Sequence, residues 1–157
     1  LSGVCLVVGD GGEPVGRPAG GDALSCGAAD GFQPTVSDPL GRGLSVGIFA
    51  VQRDASGHWS SVPHAPTPSS TGPVRLEPTA AVQTVGRPRR LGVNHAVDTA
   101  GWLVVVGRSE DVTWPLLEET MRDWSDLDVD EGTLRVPAAL EAGWEVVVVR
   151  PFVVMGP

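Results

Sequence analysis

The chain reads as a mainly β protein, a mostly antiparallel Ig-like β-sandwich with one short helix, in a single domain over residues 1–157. Three observations predict this. The apolar runs are short and rich in valine. Gly, Pro, Ser and Asp separate them, with 21 glycines and 14 prolines in 157 residues, which is the punctuation of strands and turns. One stretch alone has helical periodicity.

Candidate strands are Gly3–Val8, Leu24–Cys26 with a continuation near Phe32–Val36, Leu44–Gln52 and His58–Val62. Pro73–Glu77, Arg90–Val97, Gly101–Gly107, Thr133–Val136 and Trp144–Val154 complete the set. In Leu44–Gln52 the side chains of Leu44, Val46, Ile48 and Ala50 share one face, with Phe49 and Val51 on the other. Two apolar faces predict a central strand. Val146–Val149 is continuously apolar, which predicts burial on both sides. Pro151 has no N–H for a ladder, so an edge or a bulge is expected there. Gly9–Gly12 and Asp54–Gly57 read as hairpin turns. Ala65–Gly72 (APTPSSTG) reads as a flexible surface loop with nothing to bury.

The helix is expected over 113–124. Thr113 can cap it, and Pro115 falls in the first turn, where its missing N–H costs nothing. Trp114, Leu117, Met121 and Trp124 recur at three- and four-residue spacing and form one apolar stripe. Glu118 and Glu119 lie opposite. The stripe should face the sheet, with the helix packed at an edge or end of the sandwich.

Composition excludes several activities. The chain has no lysine and no tyrosine, one isoleucine (Ile48) and one asparagine (Asn94). These residues have AT-rich codons, so the bias points to a GC-rich bacterial genome. No catalysis that needs a Lys or a Tyr can run here. The net charge of −8 disfavours nucleic acid and anionic membrane surfaces, which call for a basic patch. The longest apolar runs are too short to span a bilayer, so no direct membrane insertion is expected. No signal peptide is visible. The first residue is Leu1, and the chain reads as a fragment or as a domain excised from a longer, membrane-anchored protein.

The motifs with chemical content are few. Gly9-x-Gly11-Gly12 follows a strand, but Pro14 and Pro18 block the helix that a phosphate loop needs behind it. Asp126-x-Asp128-x-Asp130-Glu131-Gly132 opens like a calcium loop, yet Glu131 and Pro137 stand where an EF-hand needs Gly and Glu. A solvated acidic turn is the simpler reading, with a non-EF calcium site as the alternative. Residues 110–131 hold 9 of the 19 carboxylates. Glu118, Glu119, Asp126, Asp128 and Asp130 are therefore the candidate partner-facing surface. His58, His64 and His95 lack the paired spacing of zinc ligands. Without a Gly-x-Ser-x-Gly elbow, a hydrolase site in the loops around His58 and His64 is the alternative reading only. Trp59, on an alternating strand, is the candidate exposed aromatic for stacking a sugar. No cofactor or metal is expected. Cys5 and Cys26 either pair across neighbouring strands, closing a loop worth ~3 kcal/mol, or are two buried thiols acting as small hydrophobes.

Two resemblances bear on function. VVVVRPFVVMGP (146–157) looks like a strand and loop of nucleotide-sugar epimerases. That family works with a Tyr and a Lys, and this chain has neither. GGDALSCGAADGFQPTVS (20–37), LSVGIFAVQRDASGHWSSVP (44–63) and GWLVVVGRSEDVTWPLLEETMRDW (101–124) together resemble a loosely defined family of extracytoplasmic β-sandwich modules. Such modules are often the C-terminal part of membrane-bound anti-sigma factors of the myxobacterial type, or are attached to caspase-like proteins. The resemblance implies a non-catalytic extracytoplasmic binding or sensory module whose partner is a protein or a small envelope ligand. It carries no functional residue over.

Overall fold

The computed structural model describes residues 1–8, 13–20, 22–27, 29–53, 59–69, 72–91, 100–124, 129–130, 133–134 and 142–155. The strands are β1 (Ser2–Val8), β2 (Pro14–Pro18), β3 (Leu24–Gly27), β4 (Gly31–Val36), β5 (Ser45–Arg53), β6 (Trp59–Ala65), β7 (Val74–Arg75), β8 (Gln83–Thr84), β9 (Arg89–Arg90) and β10 (Ala100–Arg108). Helix α1 (Trp114–Asp123) follows, then β11 (Val129–Asp130), β12 (Thr133–Leu134) and β13 (Val146–Met155). The chain is mainly β with one short helix among the described residues, as the sequence predicts.

Two sheets pack face to face. The first runs β2-β1-β4-β8, with β9 also on β4; the second runs β3-β13-β10-β5-β6, with β7 also on β5. β11 and β12 form a separate two-stranded pair. The described pairings are antiparallel except β13 with β3, which is parallel. Cys5, Phe32 and Val36 of the first sheet meet Leu24, Ile48, Ala50, Leu103, Val105, Phe152 and Val154 of the second. All of these are buried.

The opposite face of the second sheet is apolar as well, and α1 covers it. Phe49, Val51, Trp102, Val104 and Val106 pack against Val112, Leu117, Met121 and Trp124. The helix is therefore a third layer over that face, and it lies nearest β6, at an edge of the second sheet as expected. This explains why β5 and β10 lack simple alternation: both of their faces are covered. Gly47 permits the approach, since a Cβ there would stand 2.8 Å from Leu117 Cδ1. Trp114 packs at the margin of this cluster. Thr113 holds the cap position, but its hydroxyl makes no cap hydrogen bond. Pro115 occupies the first turn as expected.

Several sequence expectations need correction. Leu24–Cys26 and Phe32–Val36 are not one continuing strand but β3 and β4, in different sheets. β2 was not expected, because Val15-Gly16-Arg17-Pro18 has no apolar alternation; it is an exposed edge strand paired antiparallel with β1. Val146–Val149 is only partly buried, with Val148 39% exposed. The reason is that β3 pairs only with Phe152–Met155. Pro151 sits just before that pairing begins, where its missing N–H breaks no bond to β3. Pro66 and Thr67 are buried, so the start of the 65–72 segment is not a bare surface loop. Of the strand expected over Arg90–Val97, residues 92–97 lie outside the described residues.

Candidate functional site

Each sheet has a strand whose edge changes partner. On the edge of β5, β6 pairs with Ile48–Arg53 and β7 with Ser45–Val46. On the edge of β4, β8 pairs with Thr35–Val36 and β9 with Gly31–Phe32. Described residues of the segments that make these exchanges, within 64–69, 72–74 and 86–89, border one cleft. It has a volume of about 560 Å³ and is lined by His64, Ala65, Thr67, Ser69, Gly72, Pro73, Val74, Gly86, Arg87 and Arg89.

The cleft walls are built locally. β6 ends at Ala65, followed by a cis Ala65–Pro66 peptide bond. Thr67 Oγ1 and Ser69 Oγ lie 3.1 Å apart and hydrogen-bond. On the other wall, Gln33 Nε2 donates to the carbonyls of Val85 (2.9 Å) and Gly86 (3.1 Å). Gly86 turns the chain at φ +67°, where a Cβ would come within 3.0 Å of Ala65 Cβ. A side chain there would meet both the left-handed strain and the opposite wall. Arg87 and Arg89 follow, the second of them on β9, and both border the cleft.

His64 joins the sheets at the cleft floor. It is 3% exposed. Its Nε2 donates to the Phe32 carbonyl at 3.1 Å, and its ring meets the Phe32 ring edge to face at 5.7 Å. A carbonyl can only accept, so Nε2 carries the proton and Nδ1 the lone pair. Burial pushes the imidazole pKa down to about 4; the Phe32 carbonyl opposes this, and nearby Arg89 adds to it. The unfolded chain therefore binds a proton that the folded chain refuses between about pH 6.5 and 4. Stability is complete above that window and is lost as pH falls through it. Between pH 7.5 and 5 the expected loss is about 2 kcal/mol, read from urea midpoints. His64→Gln should flatten that part of the profile; an unchanged profile in the variant would show that His64 is not the titrating group.

A second cavity of about 160 Å³ opens between the sheets at Leu1 and is mostly apolar, with Val36, Leu44, Val46, Leu76, Val105 and Val146 in its wall. Asp38 and Arg42 stand at its rim and engage each other. The guanidinium donates through Nε (3.2 Å) and Nη2 (3.1 Å), and the Arg42 and Leu40 amides add bonds of 3.0 and 3.2 Å. The Arg42 side chain, followed by these amides, holds the Asp38 carboxyl down at about 2.

The residues singled out from sequence fare unequally. Cys5 and Cys26 are bonded, with Cα atoms 5.6 Å apart. They sit not on neighbouring strands of one sheet but on β1 and β3, so the bridge crosses between the sheets. His64 borders the cleft, whereas His58 and His95 lie outside the described residues. So do Asp126 and Asp128 and the side chain of Asp130. Glu118 pairs with Arg122 at 2.6 Å on α1, and Glu119 is exposed. Trp59 is not a free platform: it packs on Trp102 with ring centroids 5.2 Å apart. Among the described residues no cluster of three or more His, Cys, Asp or Glu is placed to hold a metal. No helix among them is long and apolar enough to cross a membrane.

No family model, curated protein or solved structure matches the chain.

The reading from sequence missed Thr67, Ser69, Arg87 and Arg89. The signal was present in Gly86-Arg87-Pro88-Arg89-Arg90, which packs three of the chain's basic residues into four positions of an acidic protein.

Proposed function

We propose that the chain is a non-catalytic binding module working outside the cytoplasmic membrane, with the 560 Å³ cleft as its ligand site. The observation that carries this reading is the cleft itself. Its size falls within the range of small-molecule sites, and both walls are pinned by hydrogen bonds from the sheets, so the site is formed before any ligand arrives. The surroundings of His64 support the non-catalytic part: no described Ser hydroxyl or carboxylate hydrogen-bonds to its ring, whose Nε2 meets the Phe32 carbonyl. The buried Cys5–Cys26 bridge supports the compartment, because such bonds persist where the environment is oxidising. The Ig-like class is part of the same reading, supported by two packed and mostly antiparallel sheets. A role as the sensory part of an anti-sigma factor rests on the resemblance of 20–37, 44–63 and 101–124. It is tested by whether the same gene encodes a transmembrane helix and a cytoplasmic zinc-binding segment.

The experiment is a small-molecule screen of the purified domain, with hits mapped by amide chemical shifts. Shifts concentrated at Thr67, Ser69, Gly86 and Arg87 are the expected result. Hits that map consistently elsewhere would overturn the assignment of the cleft. A hydrolase is the second reading, because two hydroxyls 3.1 Å apart border the same cleft as His64. Ester turnover abolished by His64→Ala would establish it in place of the binding module.

A further inference from the structure

We propose that the cleft is an anion site, taking a small organic acid whose carboxylate or phosphate is held by Arg87 and Arg89 and whose apolar body lies against Ala65, Pro73 and Val74. This rests on the cleft being the ligand site.

The argument begins with where the arginines go. The chain is acidic by eight charges, so most of its guanidiniums have a carboxylate at hand. Arg17, Arg42, Arg75, Arg108 and Arg122 each have an acidic partner within 4 Å. Arg150 donates to the Leu1 carbonyl. Among the arginines whose side chains are described, that leaves Arg87, Arg89 and Arg90, all in one five-residue segment. Arg87 and Arg89 both border the cleft. No carboxylate is among the described residues around it. What lines it instead is two guanidiniums, the hydroxyls of Thr67 and Ser69, and a neutral imidazole.

Guanidinium pairs match the fork geometry of carboxylate and phosphate oxygens. The Thr67–Ser69 pair can turn so that the Ser69 hydroxyl donates to an oxyanion while accepting from Thr67. Ala65, Pro73 and Val74 add an apolar wall, so the ligand has an uncharged body as well as an acid group. A polyanion is disfavoured, because its further charges would meet the protein's negative field.

The test uses phenyl phosphate and phenylacetate as probes, with phenylacetamide as the uncharged analogue, followed by calorimetry and by amide shifts of the purified protein. Both acids, or one of them, should shift Thr67, Ser69, Gly86 and Arg87. The pair of acids separates phosphate from carboxylate preference. Affinity should fall as salt is raised, since the attraction is screened. The double variant Arg87→Gln/Arg89→Gln should weaken binding about tenfold or more. Arg90→Gln, next in sequence but not on the cleft, should change it by less than about twofold. Unchanged circular dichroism of the variants would establish that they fold.

Equal binding of phenylacetamide in the cleft would overturn the anion site and leave the ligand cleft standing. Absence of any shift with either acid would overturn the anion site as well. Acid binding that maps away from 64–89 would overturn both the anion site and the assignment of the cleft.

Discussion

Trp124→Ala is expected to remove ~3–5 kcal/mol of folding stability, the usual cost of emptying a buried tryptophan site. Trp124 is fully buried at the C-terminal cap of α1, where its amide donates to the Met121 carbonyl at 3.1 Å. Its ring meets Phe49 edge to face at 5.7 Å, so it pins the helical layer to β5, an inner strand of the second sheet. The indole Nε1 is buried without a hydrogen-bond partner among the described residues. Trp124→Phe gives up area but also removes that unpaired donor, so it should cost less than the alanine change. Glu119→Ala lies on the exposed side and should stay within about 0.5 kcal/mol. Glu118→Ala loses a surface pair with Arg122 and should cost about 0.3–0.5 kcal/mol. Urea midpoints at constant slope measure all four. Equally small effects throughout would mean that α1 does not hold the third layer in place.

Removing the disulfide is the second large perturbation. Cys5→Ala/Cys26→Ala should lower stability by ~3 kcal/mol from the freed chain entropy of the unfolded state. Cys5 and Cys26 are 0% and 1% exposed and sit among Phe32, Leu103 and Phe152. The bridge therefore also fills space between the sheets, and the small voids left behind add to the loss. The oxidised native protein should resist thiol reagents, and labelling should appear only after denaturation and reduction. A urea midpoint that does not move on reduction would refute the account.

Elements were legible in the sequence where their signal is local. The helix shows in Trp114, Leu117, Met121 and Trp124 because one apolar stripe needs only twelve residues of context. β5 and β10 show because Val-rich runs bounded by Gly and Asp have few other folds open to them. The third layer was half visible: Phe49 and Val51 declare a second covered face of β5, but not that α1 covers it. What failed was long-range. Nothing between Leu24 and Val36 reveals that the chain crosses from one sheet to the other there. β2 was hidden because an exposed edge strand needs no apolar pattern. At the cleft, His64 stood out as a titratable residue, but its hydrogen bond to Phe32 depends on β4 and β6 facing each other. Arg87 and Arg89 went unweighed because a short basic run has no catalytic motif; their meaning comes from the scarcity of acidic neighbours, which only the folded chain reveals.

The parallel pairing of β3 with β13 has a consequence for the order of assembly. β3 precedes α1 in the chain, and its neighbour in the sheet is made only after α1. During synthesis β3 has no strand to pair with in its own sheet, so that sheet cannot close until translation has passed Met155. Oxidation need not wait. Cys26 can be tethered to Cys5 as soon as both are exposed to an oxidant, and the tether keeps β3 beside β1 while the rest of the chain arrives. Joining such distant segments is slow for a free chain. The covalent link shortens that search, so that β13 slots between β10 and a β3 already held in place.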